Sequence, residues 1–212
     1  MTQHPTPLST PARTAVAGRS VRRRWGAQDL SLIAVFAALL VVAAVVPPLQ
    51  IGNVLSVPLT LQTLIITLTG LLLGAGRAFA AVGLYTLLGL LGLPIFSGFR
   101  GGLAILAGPS AGYILSFPLA AALVGLLAGI VIRRNLRARA LWLGIAGIAG
   151  IAGLLLNHAL GIVGMMLNGK LGLTAAITAD AVFIPGDLVK IALAVLLALS
   201  LHRAFPQLLR NR

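Results

Sequence analysis

The 212-residue chain has no cysteine, only three acidic residues, two lysines, two tryptophans and two tyrosines. The lack of cysteine excludes disulfides and thiolate metal sites. Charged residues are 9% of the chain, against about a quarter in soluble domains, so the polar surface is too small to cover a globule in water. What replaces it is apolar: 59% of residues are hydrophobic and the mean hydropathy is +1.06. The composition predicts an integral membrane protein, all-α, with a single membrane domain at this length.

The net charge of +13 raises the question of nucleic acid. The arginines, however, lie in short clusters between apolar segments, with no aromatic interleaving and no nucleic-acid-binding motif. Cationic segment ends are what membrane topology requires, so the bilayer is the expected partner and nucleic acid is not.

Breaking the chain at charges, glycine clusters and prolines gives six apolar segments, expected as spans over Leu30–Val46, Leu59–Leu73, Ala78–Leu93, Gly112–Ile132, Leu141–Leu160 and Ile184–Leu201. A span takes about 17–25 residues, so the second and third must recruit flanking residues. The run from Leu59 to Leu93 is too long for one helix, and Gly74-Ala75-Gly76-Arg77 divides it, since glycine weakens a helix and an arginine belongs at an interface. Six spans in a compact bundle put both termini on one side. Arg13, Arg19, Arg22, Arg23 and Arg24, then Arg77, the stretch "RRNLRAR" (Arg133, Arg134, Arg137, Arg139) and Arg203, Arg210 and Arg212 share that side. The opposite side holds Arg100, Lys170 and Lys190, and this asymmetry makes the first side cytoplasmic. The expected layout is a basic, disordered cytoplasmic arm over 1–28, a six-helix transmembrane substrate-binding domain over 29–204, and a short cytoplasmic tail over 205–212. The arm and first apolar run resemble a secretory signal, but five further spans favour an uncleaved first helix. Asp29 fits an N-cap for that helix.

The basic residues of the outer half are candidates for chemistry. Asp187 and Lys190 open the last span at i,i+3 spacing, on one helix face, behind Pro185, a good first helical residue. A charge at the bilayer centre costs about 2.5–3.5 kcal/mol on insertion scales. One reading is a helix cap whose lysine snorkels outward. The other is a polar site in which Asp187, Lys190 and Arg100 converge on a small ligand carrying N–H donors and an anionic group. Tyr85, Tyr113 and the polar run Thr60, Gln62 and Thr63 are candidates to line the same cavity.

Three motif matches fail on context. "GMMLNGKL" (Gly164–Leu171) approximates a phosphate loop, but Leu171 replaces the required hydroxyl and no strand precedes it. "GPSAG" (Gly108–Gly112) matches a nucleophile elbow, which needs an α/β sheet. An intramembrane serine hydrolase would pair Ser110 with His158, which otherwise forms a polar packing pair with Asn157. The histidines and carboxylates show no metal-ligand spacing, and no metal is expected. Ala34 and Ala38 form a small-xxx-small face on the first span, and Gly144, Gly147, Gly150 and Gly153 recur every third residue on the fifth; both allow close helix approach.

The stretch "LLGLLGLPIFSGFRGGLAILAGPSAGYILSF" (Leu87–Phe117), with "PLTLQTL" (Pro58–Leu64) and "FIPGDLVK" (Phe183–Lys190), resembles the BioY family of biotin transporters. These are the substrate-binding (S) subunits of energy-coupling-factor (ECF) transporters, and the likeness runs in order over roughly Leu30–Ala204. The resemblance implies a six-helix bundle in the bacterial cytoplasmic membrane that captures biotin from the outer face, with no catalytic activity and no cofactor beyond biotin as transported ligand. It implies ligand contacts at Asp187 and Lys190, a similar role for Arg100, and contact of Ala34 and Ala38 with the transmembrane coupling subunit. That subunit would work with two ATP-binding cassette ATPase subunits. The chain departs from the family pattern at Gly98-Phe99-Arg100 and at Met165-Met166, where a tryptophan is expected, and the arm Met1–Gly26 has no counterpart. The alternatives are the same architecture for another vitamin, a stand-alone biotin facilitator, and the hydrolase.

Overall fold

The computed structural model describes residues 25–46, 57–58, 60–133 and 139–205. The arm arginines, Arg134, Arg137, Arg210 and Arg212 lie outside the described residues, as does most of the expected tail. Among the described residues there are seven α-helices: α1 (Ala27–Val45), α2 (Gln62–Leu73), α3 (Ala75–Leu90), α4 (Ala111–Arg133), α5 (Arg139–Leu167), α6 (Leu173–Ala181) and α7 (Ile184–Ala204), with a 3-10 turn at Leu103–Ala107. Four of them (α1, α4, α5 and α7) are long and apolar enough to cross a membrane. With 12 and 16 residues, α2 and α3 reach only about 18 and 24 Å, short of a hydrocarbon core of about 30 Å.

Six helices coincide with the expected apolar segments, and α5 runs seven residues beyond the expected end at Leu160. Helix α6 stands where no element is expected. Its nine residues, "LTAAITADA", carry no apolar run, so hydropathy alone does not reveal it. The break between α2 and α3 falls at Gly74, whose φ of 77° is the left-handed region that glycine enters freely.

Helix α4 is the hub, packing against α5, α3 and α2, while α7 lies on α2 and α5, α1 on α3 and α2, and α6 on α5. Close approach of α4 and α5 depends on absent side chains: a Cβ at Gly112 would sit 1.9 Å from the Leu160 carbonyl oxygen. Of the four glycines recurring every third residue, Gly150 meets Ile191 and Gly153 meets Val124, whereas among the described residues nothing approaches a Cβ at Gly144 or Gly147 within 4 Å. Only half the stripe is therefore a packing face. Leu40, Leu71, Val82, Val124 and Met165 are fully buried, while Leu30, Val42, Leu126, Leu155 and Val189 are exposed around the outside. Large apolar residues on both the inside and the outside suit a protein whose outer solvent is lipid.

The bundle has two distinct ends. At one, the Arg77 guanidinium donates to Asp29 Oδ1 at 2.9 Å, joining the starts of α1 and α3. His202 on α7 contacts the Leu71 carbonyl at 3.2 Å and packs edge-on against Trp142 of α5. Asp29 is not the N-cap: Gly26 occupies that position, and Asp29, three residues on, reaches back to accept from the Gly26 N–H at 3.0 Å. A carboxylate at this third helical position can serve the first turn and a neighbouring helix at once. The other end gathers the end of α3, the 91–110 connection, the starts of α4 and α7, the end of α5, and α6.

Candidate functional site

A cavity of about 630 Å³, counting its open mouth, occupies that second end. Its apolar wall includes Val57, Phe96, Ile105, Ile114, Phe117 and Phe183, and its polar lining includes Thr60, Gln62, Thr63, Ser97, Arg100, Ser110, Asn157, Asp187 and Lys190, with Tyr113. Asp187 and Lys190 both face it, and both are buried, at 4% and 8% exposure. The entry to α7 explains their placement. Pro185 sits in the first turn, and the i,i+3 spacing stacks the two side chains so that Lys190 Nζ donates to Asp187 Oδ1 at 2.8 Å.

Asp187 is held from two other elements. Thr63 of α2 donates to Oδ1 at 2.7 Å. On Oδ2 it faces His158 Nε2 of α5 at 3.2 Å, and the other ring nitrogen, Nδ1, lies 2.6 Å from Asp180 Oδ1 of α6. Tyr113 of α4 donates its hydroxyl to the same Asp180 oxygen. Both imidazole nitrogens therefore face carboxylate oxygens. Ionised carboxylates only accept, so two ionised partners would require hydrogen on both nitrogens, an imidazolium. Lys190 and His158 would then balance Asp180 and Asp187, and a neutral set of four would make burial of so many charges tolerable.

Arg100 arrives on a tight hairpin. Phe96 and Arg100 exchange backbone hydrogen bonds of 2.9 and 3.3 Å, and the turn between them carries Gly98 at φ 74° and Phe99 at φ 55°. A bulky residue at positive φ is strained, and the Phe99 ring is 67% exposed. The Arg100 guanidinium is exposed at the cavity wall, with Nε donating to the Ser97 carbonyl at 3.1 Å. All three acidic residues of the chain are engaged elsewhere: Asp29 with Arg77, Asp180 with His158, and Asp187 with His158 and Lys190. Arg100 thus has no carboxylate partner among the described residues. Ser97 lines the same wall, and its buried hydroxyl has no hydrogen-bond partner among the described residues.

Tyr85 does not line the cavity. It is fully buried one layer behind, where its hydroxyl accepts from Gln62 Nε2 at 2.8 Å and donates to the Ile95 carbonyl at 3.2 Å. It therefore orients Gln62, whose Oε1 is fixed by Thr60 at 2.8 Å, instead of reaching the cavity itself. Thr60, Gln62, Thr63 and Tyr113 all line it. Ala34 and Ala38 lie at the exposed surface of α1, away from the cavity. Met165 is buried in the core at 1% exposure and is not among the lining residues.

Reading the sequence missed Asp180 and assigned His158 and Asn157 to packing. Asn157 lines the cavity and its Oδ1 accepts from Ser116 at 2.6 Å, and His158 joins two carboxylates. The signal for Asp180 was its rarity, one of three acids in 212 residues. His158 does not approach Ser110 as a catalytic base would, because both of its nitrogens are committed to Asp180 and Asp187. Among the described residues no group of three or more His, Cys, Asp or Glu side chains is arranged to hold a metal ion.

The family model of the BioY family matches residues 13–207, so it takes in residues 13–26 of the arm, for which no family counterpart is expected from the sequence motifs. A biotin transporter BioY of Rhizobium etli is 35% identical over 181 residues, covering 85% of this chain and 96% of the relative. One of Rhodobacter capsulatus is 38% identical over 194 residues, covering 87% and 98%. The crystal structure of the S-component for biotin from an ECF-type ABC transporter is similar at a TM-score of 0.75 and 27% identity, over 83% of this chain and 91% of that one. Near full-length coverage in sequence and fold, around a cavity in which Asp187 and Lys190 of the "FIPGDLVK" stretch stand side by side, places this chain in the BioY family.

Proposed function

We propose that this chain is the substrate-binding subunit of an ECF-type biotin transporter, taking biotin from the outer face of the cytoplasmic membrane. The observation that carries the reading is the cavity itself: largely apolar walls, a buried donor–acceptor pair at Asp187 and Lys190, and a guanidinium on the wall with no carboxylate partner among the described residues. Biotin matches this set, having an apolar bicycle, a ureido group with N–H donors and a carbonyl, and a carboxylate on a flexible chain.

The charges assign an orientation. Lys190 is already neutralised by Asp187, so a ligand carboxylate placed there would sit beside two buried aspartates. Arg100 has no such partner, and a guanidinium matches a carboxylate geometrically. The ureido group therefore goes to Asp187 and Lys190, and the carboxylate to Arg100 with the Ser97 hydroxyl. Tyr85 contributes from behind by fixing Gln62.

The chain crosses the membrane six times, α2 and α3 completing their crossings with flanking residues and α6 remaining at the outer face. Both termini are cytoplasmic, the side to which the positive-inside rule assigns Arg77 and the arginine clusters of the sequence. The chain acts as a transporter subunit without catalytic chemistry. The exposed Ala34–Ala38 face of α1 meets the transmembrane coupling subunit, and two ATPase subunits supply the energy.

Equilibrium binding of labelled biotin to the purified chain in detergent, competed with unlabelled thiamine and riboflavin, tests the reading. Saturable binding displaced only by biotin is expected. A folded sample that binds no biotin sinks it.

A further inference from the structure

Asp187 is the most heavily engaged group in the cavity. An ionised carboxylate offers about four acceptor sites. Thr63 and Lys190 occupy two on Oδ1, and His158 occupies one on Oδ2. One site remains, on Oδ2. His158 does not itself line the cavity. It stands behind Asp187, 6% exposed, and is fixed in turn by Asp180, which also takes the Tyr113 hydroxyl. The Tyr113 ring packs edge-on against the imidazole with centroids 6.2 Å apart. Helix α6 thus supplies an anchor for a histidine on α5, and that histidine bears on the aspartate of α7.

We propose that His158 is a positioning residue that, anchored by Asp180 and Tyr113, fixes the Asp187 carboxylate so that it offers the ligand a single acceptor site. Beside that site Lys190 Nζ has one of its three donors spent on Asp187, leaving the others free. The pair then reads one N–H next to one C=O, the edge presented by a cyclic urea or a secondary amide. Selectivity follows from the count. A ligand lacking that N–H leaves a buried acceptor unmet, and one presenting a second acceptor there meets the carboxylate. Without His158, Oδ2 has two open sites and the carboxylate can turn about its own axis, so its preferred direction is lost. The inference rests on the ligand reading of the cavity, but the state of His158 is measurable without any ligand.

Two measurements on the full chain separate the possibilities. The protein is purified through a tag containing neither histidine nor a biotin mimic. With ¹⁵N-labelled histidine the unliganded chain gives signals from only His4, His158 and His202, and the one missing from H158A is assigned to His158. At neutral pH that signal is expected to show both ring nitrogens protonated, and Asp180→Asn is expected to shift it. A ring protonated on one nitrogen overturns the proposal. In the second measurement H158A should bind biotin roughly 10- to 100-fold more weakly, the size expected for a lost hydrogen bond to a charged group, and added imidazole should restore part of the loss. Unchanged affinity overturns the proposal, and so does a loss that imidazole leaves as it is, since that assigns His158 to packing. If the unsubstituted chain does not bind biotin at all, the functional reading fails, and the histidine spectrum alone decides the positioning role.

Discussion

Removing Lys190 or Asp187 alone should be worse than removing both. Lys190→Met keeps most of the side chain's volume but leaves Asp187 and Asp180 opposed only by His158, a net buried negative charge. Losing one partner of a buried ion pair costs about 3–5 kcal/mol. Asp187 keeps its bonds from Thr63 at 2.7 Å and His158 at 3.2 Å, which argues for the lower end, about 3 kcal/mol. Asp187→Asn inverts the imbalance, leaving Lys190 and His158 against Asp180 alone, at a similar cost. The double variant leaves only the neutral His158–Asp180 pair, so its cost should fall short of the sum by about 3 kcal/mol or more, beyond the few tenths expected for independent sites. At about 2–4 °C per kcal/mol for a chain of this size, each single variant should unfold roughly 6–12 °C below the parent in detergent, and the double variant no lower than the worse single. Thermal unfolding of the four proteins measures the cycle. A double variant that falls by the full sum would mean that the two residues do not share one electrostatic unit, and the neutral four-group set would be refuted.

Three further outcomes follow from the same geometry. Arg100→Gln should weaken biotin binding roughly 10- to 100-fold, from about 1.5–3 kcal/mol for a charged hydrogen bond. It should leave biotinamide, which lacks the carboxylate, nearly unaffected in the same competition assay, and equal losses for both ligands would refute the assigned orientation. Gly161→Ala puts a Cβ 2.2 Å from two Tyr113 ring carbons; overpacking of this kind costs about 1–3 kcal/mol, so both the unfolding temperature and biotin affinity should drop, and an unchanged affinity would show that the Tyr113 ring does not set the cavity. Substituting Ala34 and Ala38 together by leucine should leave biotin binding by the isolated chain intact, because both lie outside the cavity, while reducing co-purification with the coupling subunit and biotin uptake by cells.

The helices were legible because long apolar runs announce themselves by composition. All six apolar segments became helices, and the division at Gly74 was readable because glycine followed by an arginine interrupts a continuous run. Helix α6 was not legible, since a nine-residue helix of alanine, threonine and one aspartate carries neither length nor an apolar run. The acid–base end of the site was half legible. Asp187 and Lys190 are local to one turn and visible as an i,i+3 pair. His158 and Asp180 are 22 residues apart, and only the return of the chain through α6 brings them together. Tyr85 shows the limit in the other direction: a lone tyrosine on an apolar helix signals a polar partner, but its direction depends on packing, and the Phe96 ring edge-on at 5.5 Å turns it toward Gln62.

The two poles of the cavity are built differently, and the difference bears on how capture works. Five helices contribute to the Asp187 pole, through Thr63, Tyr113, His158, Asp180 and the Asp187–Lys190 pair. Side chains cross-linked in this way would need little further ordering by a ligand, which would lower the entropic cost of binding. The Arg100 pole rests on a hairpin of five residues with Phe99 at a strained φ of 55° and largely exposed, and its guanidinium lacks an anionic partner. Strain kept at a loop beside a binding site is a reservoir that ligand contacts can release. Under the proposed orientation, a carboxylate arriving at Arg100 would supply a counter-charge beside the strained turn, so the Asp187 pole would select the ring system and the hairpin would respond to the tail. Biotin and biotinamide would then share the first interaction and differ only in the second, which gives the Arg100 competition its discriminating power.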